Sequence, residues 1–307
     1  MAKIMFMYSG QGAQAKEMGK ELYESYQEVR TIYDRAAKAL GKEVGELGFE
    51  MEDDELSQTV NAQPAIFVMG LAVTELLRSR GVRPDGYAGF SLGEVTALVA
   101  AGRLSESDGY RVISTRAAAM QRAAEAGEGA MYAVLGLDGR SVSEICKKVG
   151  GNAWAVNFNS PVQTVVAGNP AECERVCEMC IEAGAQRYVR LATNAAFHSP
   201  AMTGAALEFR VSLDGIKFSP AGAQMYSNLY GGKMPEVDMP EYLESQMKSP
   251  VKWVDEVREM IEDGYDTFIE IGPGKTLCGL IKRIDRTVKT YTSDSVKSVE
   301  KIFEELC

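Results

Sequence analysis

The segment Gly89-Phe90-Ser91-Leu92-Gly93-Glu94 constrains this chain more than any other, because it sets a serine between two glycines at a strand-to-helix junction. Bulky Cβ atoms on either side of that serine would clash with so sharp a turn, so the pattern reads as a nucleophile elbow. Gly86-Tyr87-Ala88 closes a short strand before it, and Glu94-Val95-Thr96-Ala97-Leu98-Val99-Ala100-Ala101 forms a helix after it, ended by Gly102. Ser91 is therefore a candidate catalytic hydroxyl. A serine attacks well only when a neighbouring base takes its proton, and the usual base is histidine. The chain has one histidine, His198, in Ala195-Ala196-Phe197-His198-Ser199-Pro200.

The elements around the elbow predict an α/β fold. Lys3 to Tyr8 is almost wholly apolar, as a buried parallel strand is, and runs into the loop Ser9-Gly10-Gln11-Gly12-Ala13-Gln14. Helical patterns follow over about residues 17–40 and 62–80, the second with Pro64 near its first turn. After the elbow helix, Ser105-Glu106-Ser107-Asp108 starts another, which carries Arg116, Met120 and Gln121. Residues 131–137, 153–158, 163–167 and 187–191 read as strands, with helices over 141–149 and 170–183. That order, β-α-β-β-α-β, is ferredoxin-like. The chain then returns to α/β, with strands at 224–227 and 267–271 and helices at about 239–248, 251–263 and 275–284.

At 307 residues the chain exceeds the usual single domain of ~100–150 residues. The expectation is a hydrolase-like parallel-sheet core built from residues 1–127 and 196–307, with a ferredoxin-like small domain inserted at 128–195.

Charge and cysteine usage exclude several classes of function. Lysine plus arginine is 33 against 43 acidic residues, a net charge of 33 − 43 = −10, which argues against nucleic acid as the main partner. The apolar run at the amino terminus is short for a signal peptide, and no run approaches the ~20 residues a membrane helix needs. A cytoplasmic protein with no membrane partner is expected, and the six cysteines fit reduced thiols. Cys173, Cys177 and Cys180 have the spacing of an iron–sulfur triplet. They lie on a predicted helix, however, where seven residues rise ~10.5 Å and separate the outer sulfurs. A helix face packed on the small sheet accounts for them better, and no metal site is expected.

Gly10-Gln11-Gly12-Ala13-Gln14-Ala15 formally matches a dinucleotide fingerprint with alanine in its third place. That fingerprint needs a second strand ending in an acidic residue ~20 positions on, and residues 20–40 read as helix instead. The loop is better suited to letting a backbone N–H approach an oxyanion, or is a plain tight turn. Arg116 is a solvated charge by default. Its neighbours Ala117-Ala118-Ala119-Met120 are apolar, and a buried guanidinium would need a carboxylate or phosphate partner.

Taken together these motifs resemble the malonyl-CoA:acyl carrier protein transacylases and the related acyltransferase domains of polyketide synthases. Gly10 to Gln14 is similar to the family's G-Q-G-x-Q, Ser91 to Glu94 to its nucleophile motif, and Arg116 with Met120-Gln121 to its R-x-x-x-M-Q. Asn157-Phe158-Asn159-Ser160-Pro161 resembles N-x-N-S-P, Ala196 to Ser199 resembles A-F-H-S, Gln246 to Trp253 resembles Q-x-x-x-P-V-x-W, and Glu270 to Gly274 resembles E-x-G-P-G. The matches run in order over nearly the whole length.

The resemblance implies a ping-pong transfer of malonyl from malonyl-CoA to the pantetheine thiol of an acyl carrier protein. Ser91 would carry a malonyl ester, His198 would be its general base, and the backbone N–H groups of Gln11 and Leu92 would hold the oxyanion. Arg116 would pair with the free carboxylate of malonate, the main-chain carbonyl of Gln246 would orient the imidazole, and Phe197 would narrow the pocket against branched acyl groups. The coenzyme A thioester is the substrate and no cofactor is implied. A monomer serving fatty-acid or polyketide assembly is expected.

Two positions depart from the family: Phe90 stands where a histidine is usual, and Ser9 where a proline is. Lys275, Lys282, Arg283, Arg286 and Lys289 cluster in sequence as a candidate docking surface for an acidic carrier. Rival readings are a thioesterase, with Asp108 or Asp138 as the triad acid, a polyketide-type acyltransferase using another extender unit, and a catalytically silent module that binds the carrier.

Overall fold

In the computed structural model, which describes residues 2–127, 129–220 and 222–307, the chain forms two sheets clad by helices. The expected domain limits at Met1 and Glu128 fall outside the described residues. The chain opens with β1 (Ile4–Tyr8), then α1 (Lys20–Ser25), α2 (Gln27–Leu40), α3 (Asp53–Leu56) and α4 (Thr59–Ser79). Strand β2 (Gly86–Gly89) leads through the elbow into α5 (Gly93–Ala100), followed by α6 (Glu106–Ala126). Next come β3 (Ala130–Leu135), α7 (Gly139–Val149), β4 (Ala153–Ser160), β5 (Gln163–Gly168), α8 (Pro170–Glu182) and β6 (Arg187–Arg190). The chain ends with α9 (Thr203–Ser212), β7 (Gln224–Ser227), β8 (Gly232–Lys233), α10 (Met239–Met247), α11 (Trp253–Glu262), β9 (Thr267–Ile271), α12 (Thr276–Ile284), β10 (Lys289–Thr292) and α13 (Val296–Leu306).

The larger sheet has the order β10-β9-β1-β2-β7-β8, and its first five strands are parallel. Its central strands are buried on both faces, which is why β1 reads Ile-Met-Phe-Met-Tyr without alternation. Register places Tyr8 beside Gly89 and Ile271, so the loops that leave β1, β2 and β9 gather at one edge of the sheet. The smaller sheet, β4-β5-β3-β6, is antiparallel. In β3 the period of two is explicit: Ala130, Tyr132 and Val134 pack with α7 and α8, while Met131 and Ala133 face the main core.

The structure corrects several expected elements. The helix read over 17–40 is broken at Tyr26, whose extended backbone (φ −125°) separates α1 from α2. Helix α4 starts at Thr59, so Pro64 lies in its interior and not in its first turn. Its 21 residues hold an 18-residue window of mean hydropathy 1.4, long and apolar enough to cross a membrane, contrary to the expectation that no run is; 83% of that window is buried inside the fold. It is a core helix packed on α2, α5 and α6. Elements β8, β10, α3, α9 and α13 had no counterpart in the reading of the sequence. Cys173, Cys177 and Cys180 do share the buried face of α8, joined by Cys146 from α7.

Candidate active site

The elbow needs its glycines for room. A Cβ on Gly89 would collide with the backbone of Gly93, and one on Gly93 would collide with the Tyr8 carbonyl, because α5 starts directly against the end of β1. Ser91 sits at the apex with φ 54°, in the left-handed region that an L side chain enters at a cost. Its N–H donates to Asn228 Oδ1 at 2.7 Å, and its carbonyl accepts from Gln246 Nε2 at 2.9 Å. The hydroxyl is thereby aimed at His198, with Oγ 2.7 Å from Nε2.

His198 is held by a loop that closes on itself. Ser199 Oγ donates to the Ala196 carbonyl at 2.6 Å and accepts the Ala201 N–H at 3.2 Å as Pro200 starts a short 3₁₀ turn. On the far side of the ring, Nδ1 lies 3.1 Å from the Gln246 carbonyl. A carbonyl only accepts, so Nδ1 carries the proton and Nε2 presents its lone pair to Ser91. Burial, and then the positive charge of Arg116, push the imidazole down to about 4, so it is neutral near pH 7. Neutrality is what a general base requires. The nominal triad acids lie elsewhere: Asp138 caps α7 through the Ser141 N–H, and Asp108 in the first turn of α6 is bonded to Ser105 and Arg111.

Arg116 is completely buried on α6. Its guanidinium donates to Gln63 Oε1 at 2.9 Å, to Ser91 Oγ at 3.2 Å and to Gln246 Oε1 at 3.3 Å, all neutral acceptors. Among the described residues no carboxylate forms an ion pair with it, and its Nε–H has no partner. Desolvation brings its pKa down to about 10, so it stays charged. A buried cation without a paired anion is a site prepared for one.

Gln11 lines the same space, and Leu92 follows Ser91 directly at the N-terminus of α5. Among the described residues no acceptor in the fold takes either N–H. The Gln11 side chain is bonded to Thr59 Oγ1 at 3.1 Å and to Gln63 Nε2 at 3.2 Å, which fixes the loop after β1. After that loop the chain continues into α1 and α2, without the second strand that a dinucleotide fold requires. A cavity of about 440 Å³ joins Gln11, Ser91 and His198 to Phe197, Met120 and Asn157, with Leu191 and Thr193 bringing the loop after β6 to its wall. Phe90 also lines it and packs edge-on against Trp253, with ring centroids 5.6 Å apart.

All seven residues singled out in the sequence therefore meet here: Gln11, Ser91, Leu92, Arg116, Phe197, His198 and Gln246. Reading the sequence missed Gln63, a polar residue in the otherwise apolar run of α4, and the side chain of Gln246. It also missed Asn228 and the buried carboxyl of Glu94, which accepts from the Asn228 N–H and from the Tyr242 hydroxyl. The five basic residues from Lys275 to Lys289 do not form one cluster. Lys275 lies at the elbow edge, just before α12, whereas Lys289 starts β10 beside Thr267 at the opposite edge of the sheet.

The chain matches the acyl transferase domain family model over residues 5–301. It is 38% identical to the malonyl CoA-acyl carrier protein transacylase of Bacillus subtilis, an alignment that covers 100% of this chain and 98% of that protein. The crystal structure of MCAT from Streptococcus pneumoniae superposes with a TM-score of 0.94 at 36% identity, covering 99% of this chain and 100% of that one. A malonyl-transacylase solved in complex with its type II PKS acyl-carrier protein superposes with a TM-score of 0.93 at 33% identity, covering 99% of this chain and 99% of that one. With full-length identity of this degree and a matching family model, the chain belongs to the malonyl-CoA:acyl carrier protein transacylases of the acyl transferase family.

Proposed function

We propose that Ser91 and His198 move a malonyl group from coenzyme A to a carrier protein through an ester on Ser91. The chain is an acyltransferase, a malonyl-CoA:acyl carrier protein transacylase. In the first half-reaction Ser91 Oγ attacks the thioester carbonyl carbon and its proton passes to His198 Nε2. The C–S bond then breaks and the same proton goes to the departing coenzyme A sulfur. In the second, the pantetheine thiol of the carrier gives its proton to His198, attacks the ester carbonyl, and Ser91 Oγ recovers the proton as it leaves. The free N–H groups of Gln11 and Leu92 suit the oxyanion of both tetrahedral states, a contribution of roughly 3–4 kcal/mol per donor in comparable sites. The thioester arrives activated, so this sequence of steps calls on no metal or cofactor.

The observation that carries the reading is Arg116: a fully buried guanidinium, unpaired by any carboxylate among the described residues, that already touches Ser91 Oγ. An acyl group with its own carboxylate supplies the missing anion and is oriented by it. Phe197, from the cavity wall, bounds the acyl end. The hydrolase reading lacks its acid, since His198 leans on a carbonyl and not a carboxylate.

We assign the larger sheet with its helices, residues 1–127 and 196–307, as a hydrolase-like catalytic core, and 128–195 as an inserted ferredoxin-like unit. The order β3-α7-β4-β5-α8-β6 and the strand order β4-β5-β3-β6 support that assignment. One chain supplies every residue of the site, so a monomer suffices. Five buried free thiols suit a reducing cytoplasm. The carrier-bound relative supports an acyl carrier protein as acceptor.

Intact-mass measurement after mixing with malonyl-CoA tests the reading. One malonyl adduct is expected, absent in Ser91→Ala and discharged by holo carrier protein; rapid release of free malonate without any carrier would assign a hydrolase instead.

A further inference from the structure

Asn228, at the end of β7, is fully buried, and every hydrogen-bonding group it owns is engaged. Its Oδ1 accepts the Ser91 N–H at 2.7 Å, and its Nδ2 donates to the Gly89 carbonyl and to Glu256 Oε2, both at 2.8 Å. Its own N–H donates to Glu94 Oε1 at 2.6 Å, and its carbonyl accepts the Lys252 N–H at 2.9 Å. One residue thus ties the last residue of β2, the apex of the elbow, the first turn of α5 and the approach to α11.

Ser91 occupies a left-handed backbone conformation that persists only where its surroundings over-determine it. Gln246 Nε2 grips the carbonyl side of that residue and Asn228 the amide side. The bond to Asn228 also withdraws the Ser91 N–H from the reaction, leaving the Leu92 N–H as the elbow's free donor.

We infer that Asn228 is a positioning residue for the nucleophile, holding the strained Ser91 backbone so that Oγ stays within reach of His198. The inference rests on Ser91 being the nucleophile. Without Asn228 the elbow relaxes, and a displacement near 1 Å costs roughly 100-fold in rate.

The test compares Asn228→Ala and Asn228→Asp with the unaltered protein, by single-turnover acylation with malonyl-CoA, KM, circular dichroism and melting. In Asn228→Ala, kcat is expected to fall roughly 100-fold with KM for malonyl-CoA little changed. The aspartate is isosteric and still accepts the Ser91 N–H, but its second oxygen meets the Gly89 carbonyl, which only accepts, and Glu256, whose buried carboxyl is held well above its ordinary range by desolvation and by Glu94. The new carboxyl and Glu256 therefore need a shared proton, in a site that also faces Glu94 from α5, itself bonded to Tyr242 from α10. As pH rises and that proton is lost, kcat of Asn228→Asp is expected to fall along an alkaline limb that the unaltered protein does not share. The aspartate variant at low pH keeps the test valid where the alanine variant fails to fold. Wild-type acylation rates in folded Asn228→Asp from about pH 6 to 9, with loss confined to melting temperature, would overturn the inference. Absence of any adduct on Ser91 in the unaltered protein would instead overturn the transacylase reading itself.

Discussion

Ser91 and His198, whose side chains meet at 2.7 Å, both have left-handed backbones, with φ of 54° and 59°. Among the described residues only Glu17 shares that conformation without being a glycine. These two hydrogen-bonded residues thus hold most of the positive-φ strain carried by side-chain-bearing residues among those described, and the folded frame around them maintains it.

Strain at Ser91 is separable from its chemistry. Ser91→Ala and Ser91→Gly both remove the hydroxyl, and neither should form an acyl adduct. Glycine enters the left-handed region without the Cβ clash, so Ser91→Gly is expected to be more stable than Ser91→Ala by about 1 kcal/mol, read from urea midpoints. A more stable Ser91→Ala would place no strain at the elbow, because glycine has the larger unfolded-state entropy to lose.

The base assignment fixes a pH profile. With His198 pushed from its ordinary 6.5 down to about 4, the imidazole is neutral above that value, so kcat/KM for malonyl-CoA should rise through about pH 4 and be level near 7. Arg116 depresses His198 by its charge. In Arg116→Gln the acid limb should therefore move to higher pH, though short of 6.5 because burial is the larger cause and remains. A limb that stays put would show that the two groups are uncoupled.

Phe197 is a buried wall of the cavity that holds Ser91. Shortening it to alanine makes room for a branch on the acyl group, and one methyl group in such a pocket is worth about 10-fold or more in discrimination. In competition between malonyl-CoA and methylmalonyl-CoA, Phe197→Ala should shift the ratio of adducts toward methylmalonyl by at least that factor.

Carrier docking is tested by contrast. Lys275 stands at the elbow edge and Lys289 at the opposite one, so charge reversal at Lys275 should raise the carrier KM roughly threefold to tenfold at low salt and less at high salt. The same change at Lys289 should leave it unaltered. Equal effects would mean that net charge, and not a docking face, governs the encounter.

What was legible in the sequence was local. The elbow is spelled within six residues because its glycines answer to the close approach of β1 and α5, and the cysteine face of α8 follows from helical spacing alone. The polar frame behind the elbow is not local. Asn228 is 137 positions from Ser91, and Gln63 is 53 from Arg116, so nothing in either neighbourhood announces the bond. Strand β10 is Lys-Thr-Tyr-Thr, too polar to read as a strand until β9 gives it a partner. The basic run after Gly274 looked like one patch in one dimension, but α12 and β10 carry its two ends to opposite edges of the sheet.

Glu94 makes the stability of the fold depend on pH. Its carboxyl is fully buried in the first turn of α5, and desolvation raises it from 4.5 to about 7, with hydrogen bonds and the charge of Arg116 opposing. A raised carboxyl pKa means that the folded state holds a proton the unfolded chain has released, so the stability tied to that proton is complete below 4.5 and is lost as pH rises through about 7. Glu94→Gln keeps an acceptor for the Asn228 N–H and cannot ionise. Below about pH 4.5 the two proteins should therefore melt together, and the variant should gain on the parent as pH rises to about 8, by up to roughly 3 kcal/mol. A constant difference in melting temperature across that range would show that Glu94 titrates alike in the folded and unfolded chains.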